Sequence, residues 1–392
     1  MRKPIGIVLI SIGIFLFLFV LYTNSMVSKQ TRIFSAYSLL TSSWQSYASQ
    51  FIQKNGRSID PGQKNVTTSE AQSYALLRAV WSDDRPTFDK VLTFTRTYMK
   101  RPTDHLFGWR YGKLQNGKYG FLPGGGENAA ADADTDIAFA LILASRRWHD
   151  PIYLSYAKPL IADIWRNETA IVRGKRYLIA GNWAQDNQKI IINVSYFAPY
   201  AWRAFATIDT KDDWQSLLAP AYQLLTDAGT APLDTGKGVG LPPDWVAMNR
   251  TTGELSATNI SSFTTHYSFD AMRTPWRIAL DYLWNKDPRA KTYLLDSYTA
   301  LANDYKQHHT LAALYSHDGK RLTAVENPAM YATSLGYFII ADKKTADQLY
   351  QNKIIRLYSN DKNTFNPKLP YYEQNWLWFG AALYNNYLSD FR

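Results

Sequence analysis

Apolar side chains recur at helical spacing along nearly the whole chain after residue 34, and this periodicity constrains the fold more than any other feature. It predicts twelve helices, at 35–53, 69–82, 86–100, 133–148, 150–166, 195–207, 212–228, 270–285, 289–307, 328–339, 344–357 and 372–388. Start signals support several of them, such as Ser69 before one run and Pro86 and Pro151 in first turns. Most helices fall in pairs with short links, so the pattern indicates an all-α ring of six helical hairpins.

Four longer segments interrupt the helices, at 101–131, 168–194, 229–267 and 308–327. They are rich in Gly, Pro, Asn and Tyr and show no regular periodicity. Long irregular loops in a compact domain usually carry function. We therefore expect the functional side chains of the ring to lie at the end that these loops decorate.

The N-terminus contains an apolar run from Ile5 to Tyr22 without a charged residue, preceded by Arg2 and Lys3. The length suits a membrane-spanning helix, and the basic residues favour a cytoplasmic N-terminus. We predict a cytoplasmic segment 1–4, a transmembrane signal anchor 5–22, a linker 23–34 and a domain 35–392 outside the cell. Secretion after cleavage of a signal peptide is the alternative.

Composition narrows the class of protein. The absence of cysteine excludes disulfides, thiolate catalysis and Cys-ligated metals, and the six histidines show no metal spacing. We therefore predict no metal and no cofactor. The net charge of +10 is spread without a run of basic residues, so we expect no nucleic-acid partner. The domain is expected to be a monomer. The 15% aromatic content fits either a large helical core or a surface on which sugar rings stack.

Two carboxylates have the surroundings that acid–base chemistry needs. Glu70 begins a predicted helix among Ser, Gln and Tyr residues, although an acid in a first turn also stabilises the helix dipole. Asp270 precedes Arg273 by three residues, which is ion-pair distance on a helix. This pair is either structural or a base kept ionised by the arginine. Glycoside hydrolysis requires such an asymmetric pair, with one carboxyl protonated and one ionised.

Three further carboxylates alternate at Asp132, Asp134 and Asp136, just before an apolar run. A calcium loop would place Gly at the sixth position and Glu at the twelfth, but Ile137 and Leu143 stand there. The alternatives are acids that favour a helix N-terminus and a carboxylate that holds a sugar hydroxyl or a water in a cleft.

The segment 130–148 closely resembles the signature of glycoside hydrolase family 8, which runs Ala, Ser/Thr, Asp, Ala/Gly, Asp, two free positions, Ile/Met and Ala, and closes on Trp. The residues in register are Ala130, Asp132, Ala133, Asp134, Ile137, Ala138, Ala140, Leu141, Ile142, Ala144 and Trp148. Ala131 departs from it, since the family has Ser or Thr there. The segments around Glu70 and Asp270 are also similar to the family, with Ala71 and Ala75 in place of two glycines. So are the stretches 195–199, 243–245 and 371–375, and the resemblance spans 66–388.

The resemblance implies an (α/α)6 barrel and an inverting, endo-acting hydrolysis of a β-linked polysaccharide, usually β-1,4. Together with the N-terminal apolar run, it predicts a membrane-anchored bacterial member of the family. It implies that Glu70 is the proton donor, Asp270 the base and Asp132 an essential carboxylate that holds the distorted sugar. We expect the remaining substrate contacts at Trp109, Asp134, Tyr196, Arg273 and Tyr372. A cell-surface or biofilm exopolysaccharide is the expected substrate.

Two other hypotheses remain open. A glycan-binding protein could retain the cleft without turnover, because Ala71, Ala75 and Ala131 replace family residues beside the carboxylates. A structural protein of the cell envelope could use the ring only as a scaffold. The sequence does not identify the sugar or the linkage.

Overall fold

The computed structural model describes residues 36–234 and 236–391. The predicted cytoplasmic segment 1–4, transmembrane segment 5–22 and linker 23–34 lie outside the described residues. Within the two described ranges, no helix combines the length and the apolar character needed to cross a lipid bilayer.

Helices occur at all twelve predicted places. In chain order they are α1 (36–51), α2 (Ser69–Trp81), α3 (Arg85–Phe94), α4 (Ala131–Arg147), α5 (Ile152–Asn167), α6 (Pro199–Ala206), α7 (Leu218–Thr230), α8 (Thr274–Asn285), α9 (Pro288–Ser297), α10 (Thr299–His308), α11 (Pro328–Ala341), α12 (Lys343–Leu349) and α13 (Tyr371–Tyr384). The predicted helix 289–307 is divided into α9 and α10 at Tyr298. Short turns of tighter or wider helix extend several ends, including Ala271–Arg273 before α8 and Thr95–Met99 after α3.

Short strands lie in three of the four long loops and beside α2 and α13, so the mostly helical fold is not strictly all-α. They are β1 (Thr67–Thr68), β2 (Arg110–Lys113), β3 (Tyr119–Phe121), β4 (Thr169–Val172), β5 (Lys175–Leu178), β6 (Lys189–Ile192), β7 (Val246–Asn249), β8 (Leu255–Ser256), β9 (Tyr358–Ser359) and β10 (Thr364–Phe365). They form antiparallel sheets ordered β1-β2-β3, β4-β5, β6-β7-β8 and β10-β9. Strands this short carry too little periodicity to be recognised in a sequence. Their pairing orders the long loops above the helical ring.

The helices form two concentric rings. Helices α2, α4, α6, α8, α11 and α13 each contact the next, and α13 returns to α2, which closes the inner ring. Helix α3 lies on α2, α5 on α4, α9 on α8 and α12 on α11. Helix α1 lies on α13, where the Trp378 indole donates a 2.9 Å hydrogen bond to the Leu40 carbonyl. Inner and outer helices thus alternate along the chain, as expected of an (α/α)6 barrel.

Burial follows this arrangement. Every residue of α4 from Ala131 to Ser145 is buried, because this inner helix has neighbours on all sides. Outer helix α3 buries only one face, as a surface helix does. Two glycines let the inner helices approach closely. A Cβ on Gly336 would lie 2.2 Å from the Pro275 carbonyl oxygen, and one on Gly380 would lie 2.4 Å from that of Ala332.

The same alternation gathers the candidate residues at one end of the barrel. Each inner helix starts at that end, so Glu70 in the first turn of α2 and Asp132 in the first turn of α4 face each other. Asp270 lies immediately before the turn that leads into α8. The four long loops precede inner helices α4, α6, α8 and α11, which agrees with the predicted decorated end.

Candidate active site

Local structure fixes Glu70 at the mouth of the barrel. Strand β1 pairs with β2, and the Thr68 side chain caps α2 by accepting a 3.0 Å hydrogen bond from the Ala71 amide. The Ser69 amide also donates to the Trp109 carbonyl at 3.1 Å. Because sheet and cap hold the start of α2, the Glu70 side chain is directed into the cleft, where it is 22% exposed.

Arg273 lies at the centre of the site and joins the three predicted carboxylates. Its Nη1 donates to Glu70 Oε2 at 2.8 Å and to Asp132 Oδ2 at 3.0 Å, and its Nη2 donates to Asp270 Oδ1 at 2.5 Å. Ser195 Oγ accepts from Nη2 at 2.9 Å. The guanidinium is only 1% exposed and sits beneath the cleft. It therefore holds the carboxylates, whereas we predicted that it contacts the substrate.

Glu70 has the surroundings of a general acid. Burial raises its pKa to about 7, against the opposing effect of the Arg273 charge, and the Asp132 carboxylate adds to the rise. The Tyr371 hydroxyl donates to Glu70 Oε1 at 2.9 Å. Below about pH 7, Glu70 is therefore protonated and able to give its proton to a leaving oxygen.

Asp270 is bound differently. Its Oδ1 accepts from Arg273, and its Oδ2 accepts a 3.0 Å hydrogen bond from the Trp245 indole. These two hydrogen bonds fix the orientation of the Asp270 carboxylate in the cleft. The carboxylate is 33% exposed, the most open of the three. Glu70 and Asp270 thus lie on opposite nitrogens of one guanidinium, and each has a different aromatic donor as its second partner.

Asp132 lies deeper, with 4% of its side chain exposed. Its Oδ1 accepts from the Ala133 amide at 2.9 Å and its Oδ2 from Arg273. Burial raises its pKa, and the charges of Arg273 and Arg277 oppose that rise. The three predicted catalytic carboxylates are therefore brought together in one site.

Asp134 lies behind this site rather than in it. It is fully buried, and its Oδ1 accepts a 3.0 Å hydrogen bond from the Phe107 amide. A side chain without exposed surface does not support the predicted substrate contact. The buried Glu168 side chain lies beside it, and burial, followed by the Asp134 charge, raises the pKa of Glu168 well above its ordinary value.

A cavity of about 350 Å³ adjoins the carboxylates. Its lining includes Trp109, Trp183, Tyr196, Trp245 and Phe263. Trp245 and Phe263 stack with ring centroids 4.0 Å apart, and the Tyr196 ring lies 5.3 Å from the Arg273 guanidinium carbon. Flat aromatic faces suit sugar rings, which present apolar C–H surface alongside hydroxyl groups.

Two predicted substrate contacts line this cavity, and one lies elsewhere in the cleft. Trp109 and Tyr196 both face the cavity. Tyr372 donates through its hydroxyl to the Phe269 carbonyl, and the two rings lie 6.4 Å apart. Phe269 is 49% exposed next to Asp270, so this pair extends the aromatic surface beyond the carboxylates.

Sequence reasoning missed several residues of the site. Tyr371 and Asp244 are not singled out by the sequence, although both lie in stretches that are similar to the family. Trp183 and Glu168 carry no local motif, since only the folded loops bring them to the site.

Among the described residues, no group of three or more His, Asp or Glu side chains has a geometry that could hold a metal ion.

Comparison with known families agrees with this geometry. The model of the family Glycosyl hydrolases family 8 matches residues 19–366. This chain belongs to glycosyl hydrolase family 8. An endoglucanase of Cellulomonas uda is 32% identical over 237 residues, which cover 60% of this chain and 62% of the relative. The chain thus spans about three fifths of the length of that curated relative.

Solved family 8 folds are also similar. The endo-beta-1,4-glucanase CMCax from Acetobacter xylinum superposes with a TM-score of 0.70 at 21% identity, covering 89% of this chain and 98% of that chain. An endo-1,4-D-glucanase from Vibrio fischeri ES114 gives a TM-score of 0.73 at 24% identity, covering 87% and 94%. These structures agree with the predicted fold.

Proposed function

We propose that this protein is an inverting, endo-acting glycoside hydrolase that cleaves a β-linked glucan, with a β-1,4-linked chain as the expected substrate. The observation that carries the proposal is the contact of one buried guanidinium, Arg273, with Glu70, Asp132 and Asp270 at once. The family and the names of the endoglucanases it resembles support the same reaction.

The two outer carboxylates have complementary tasks in this reaction. Glu70, protonated below about pH 7, gives its proton to the glycosidic oxygen as the bond to the anomeric carbon breaks. Asp270 takes a proton from a water molecule, whose oxygen bonds to the anomeric carbon from the opposite face. The sugar configuration inverts, and one water is added across the bond.

Asp132 and the aromatic cavity would hold the sugar chain. Asp132 reaches the floor of the cleft beside Glu70, where a carboxylate can accept hydrogen bonds from sugar hydroxyls. Trp183 and Phe263 would supply stacking surface next to the cleavage point. The alanines that replace family residues do not obstruct the cleft, because Ala71, Ala75 and Ala131 are all buried within the helices.

The deciding experiment is an assay of the purified domain on soluble β-1,4-glucan, β-1,3-1,4-glucan, xylan and chitosan. We expect a rapid loss of viscosity with few reducing ends, which marks internal cleavage, and an α-anomeric product in proton NMR. Glu70→Gln and Asp270→Asn should each lower kcat by about 10²- to 10⁴-fold. Binding of the glucan without product would favour the glycan-binding alternative, and unaltered cleavage by Glu70→Gln would defeat the proposal.

We propose further that residues 5–22 anchor the protein in the cell membrane, with the barrel outside and an exopolysaccharide as substrate. The apolar run after Arg2 and Lys3 supports this placement. Fractionation of cells that produce the full chain, or a form lacking residues 1–34, tests it. The full chain should sediment with membranes after alkaline carbonate extraction, and the shortened form should not. Release of a processed full chain would support signal cleavage instead.

A further inference from the structure

Asp244 is a buried carboxyl that the proposed reaction does not use, and it lies directly behind Asp270. Its residue is only 4% exposed. It stands at the end of the loop before β7, where its amide donates to the His266 carbonyl at 2.7 Å. The neighbouring Trp245 amide donates to the Thr264 carbonyl at 3.0 Å. These backbone bonds hold Asp244 against the segment that leads to the base.

The Asp244 side chain grips the backbone on both sides of Asp270. Its Oδ1 accepts hydrogen bonds from the amides of Ala271 at 2.7 Å, Ser268 at 3.2 Å and Asp270 at 3.2 Å. Its Oδ2 accepts from the Ser268 hydroxyl. A single carboxylate thus accepts hydrogen bonds from three backbone amides at the start of a helical turn.

This arrangement replaces the usual capping role of Asp270. An Asp at the N-cap position normally turns its own side chain back to accept from the amides of the first turn. Asp270 occupies that position before Ala271–Arg273, yet its side chain makes no capping hydrogen bond. The amides of Met272 and Arg273 donate instead to the Ser268 and Asp270 carbonyls at 2.9 and 3.1 Å. Asp244 takes the amides of Asp270 and Ala271, so the Asp270 carboxylate is left to face the cleft. Trp245, the next residue, then fixes Asp270 Oδ2.

We propose that Asp244 is a positioning residue for the base, acting only through Asp270. This inference rests on the proposed hydrolysis. Without Asp244, the amide of Ala271 would compete for the Asp270 carboxylate and draw it out of line with the attacking water. A displacement of about 1 Å at a reacting group can cost about 10²-fold in rate.

The test compares Asp244→Ala with Asp244→Asn, whose amide oxygen can still accept from the three backbone amides. We expect Asp244→Ala to lower kcat on β-1,4-glucan by about 10²-fold with KM changed less than about threefold. Asp244→Asn should recover most of that loss. Asp281→Asn is the matched control, since Asp281 is a fully buried carboxylate on α8 that binds Arg203 and Tyr222. It should lower the melting temperature while leaving kcat within about twofold.

A second substrate separates an effect on the base from one on the acid. The dinitrophenolate group of a dinitrophenyl cello-oligoside leaves without being protonated. Glu70→Gln should therefore regain most of its rate with this substrate. Asp244→Ala should stay as impaired as Asp270→Asn. If Asp244→Ala fails to fold, Asp244→Glu, which displaces the carboxylate by one methylene, should show the same pattern with at least a tenfold loss.

The results that overturn the inference are distinct from those that overturn the function. A wild-type protein that cleaves neither substrate defeats the proposed hydrolysis and this inference with it. An active wild type with a folded Asp244→Ala or Asp244→Glu variant of unchanged kcat defeats the inference alone. The inference is also defeated if Asp244→Ala regains its rate with the dinitrophenyl substrate, or if Asp281→Asn loses as much kcat as Asp244→Ala.

Discussion

Arg273 Nη1 lies 2.8 Å from Glu70 Oε2, so the proposed acid is in contact with a permanent positive charge. The contact lowers the pKa of Glu70, yet burial outweighs it and the pKa remains near 7. The acid is thus held between two opposing effects. Its proton is retained below about pH 7 but is easily given up in a reaction.

The pH dependence of kcat/KM follows from this balance. Glu70 must be protonated to act, and its pKa of about 7 lies above its ordinary value of 4.5. Activity should therefore be retained below about pH 7 and fall about tenfold per pH unit above it. Measuring kcat/KM from pH 4 to 9 shows at which pH this fall, the basic limb of the profile, begins. A basic limb near pH 5, or none below pH 9, would contradict the assignment of Glu70 as the acid.

Removing the guanidinium should change both the profile and the stability. Arg273→Met deletes the charge that lowers the pKa of Glu70, so the basic limb should move to higher pH, while kcat falls as the carboxylates lose their alignment. It also leaves buried carboxylates unpaired, which typically costs about 3–5 kcal/mol of the free energy of unfolding. Urea unfolding and a rate profile measure the two effects. Arg203→Met, on a structural ion pair with Asp281, should lower stability without moving the limb.

The buried pair behind the site should make stability depend on pH. The pKa of Glu168 in the folded protein is raised well above its ordinary value of 4.5. The stability that its protonation provides is therefore fully present below pH 4.5 and is lost as the pH rises towards the raised pKa. Glu168→Gln removes this loss, because the amide has no proton to give up. Its melting temperature relative to wild type should therefore increase between pH 5 and pH 8. The exposed Glu127→Gln should show no such trend, and a constant difference for Glu168→Gln would contradict the burial argument.

The aromatic cavity should bind substrate without taking part in bond cleavage. Trp183 lines the cavity, and its indole donates to the Ala129 carbonyl at 3.1 Å. Trp183→Ala should raise KM for soluble glucan about tenfold, since a stacking contact is worth on the order of 1 kcal/mol. The kcat should stay within about threefold. Trp148→Ala, at the opposite end of α4, provides the control and should leave KM unchanged.

The helices were predictable because their signal is local. Residues such as Ser69 and Pro86 mark where helices start, and the apolar spacing shows how far they extend. A helix is therefore found at each of the twelve predicted places. The break at Tyr298 between α9 and α10 was not predicted, since the apolar pattern continues through it. The strands were not predictable because each contains only two to four residues, too few to show an alternating pattern.

The three candidate carboxylates were predictable from the sequence, and their arrangement was not. The resemblance to the family signatures singled out Glu70, Asp132 and Asp270, which are separated by long stretches of chain. No spacing in the sequence reveals that Arg273 touches all three, because that contact depends on the closure of the inner ring. The same closure buries Asp134, which the alternating acidic pattern had suggested as a substrate contact.

The shared guanidinium also bears on what happens between turnovers. One cleavage leaves Glu70 without its proton and Asp270 with one, so the protein must be reset before it can cut again. Since Nη1 touches Glu70 and Nη2 touches Asp270, the same positive charge accompanies the negative charge on either side chain. The site therefore keeps a positive charge beside its negative charge in both the spent and the recharged form while the proton returns to Glu70 through the cleft water.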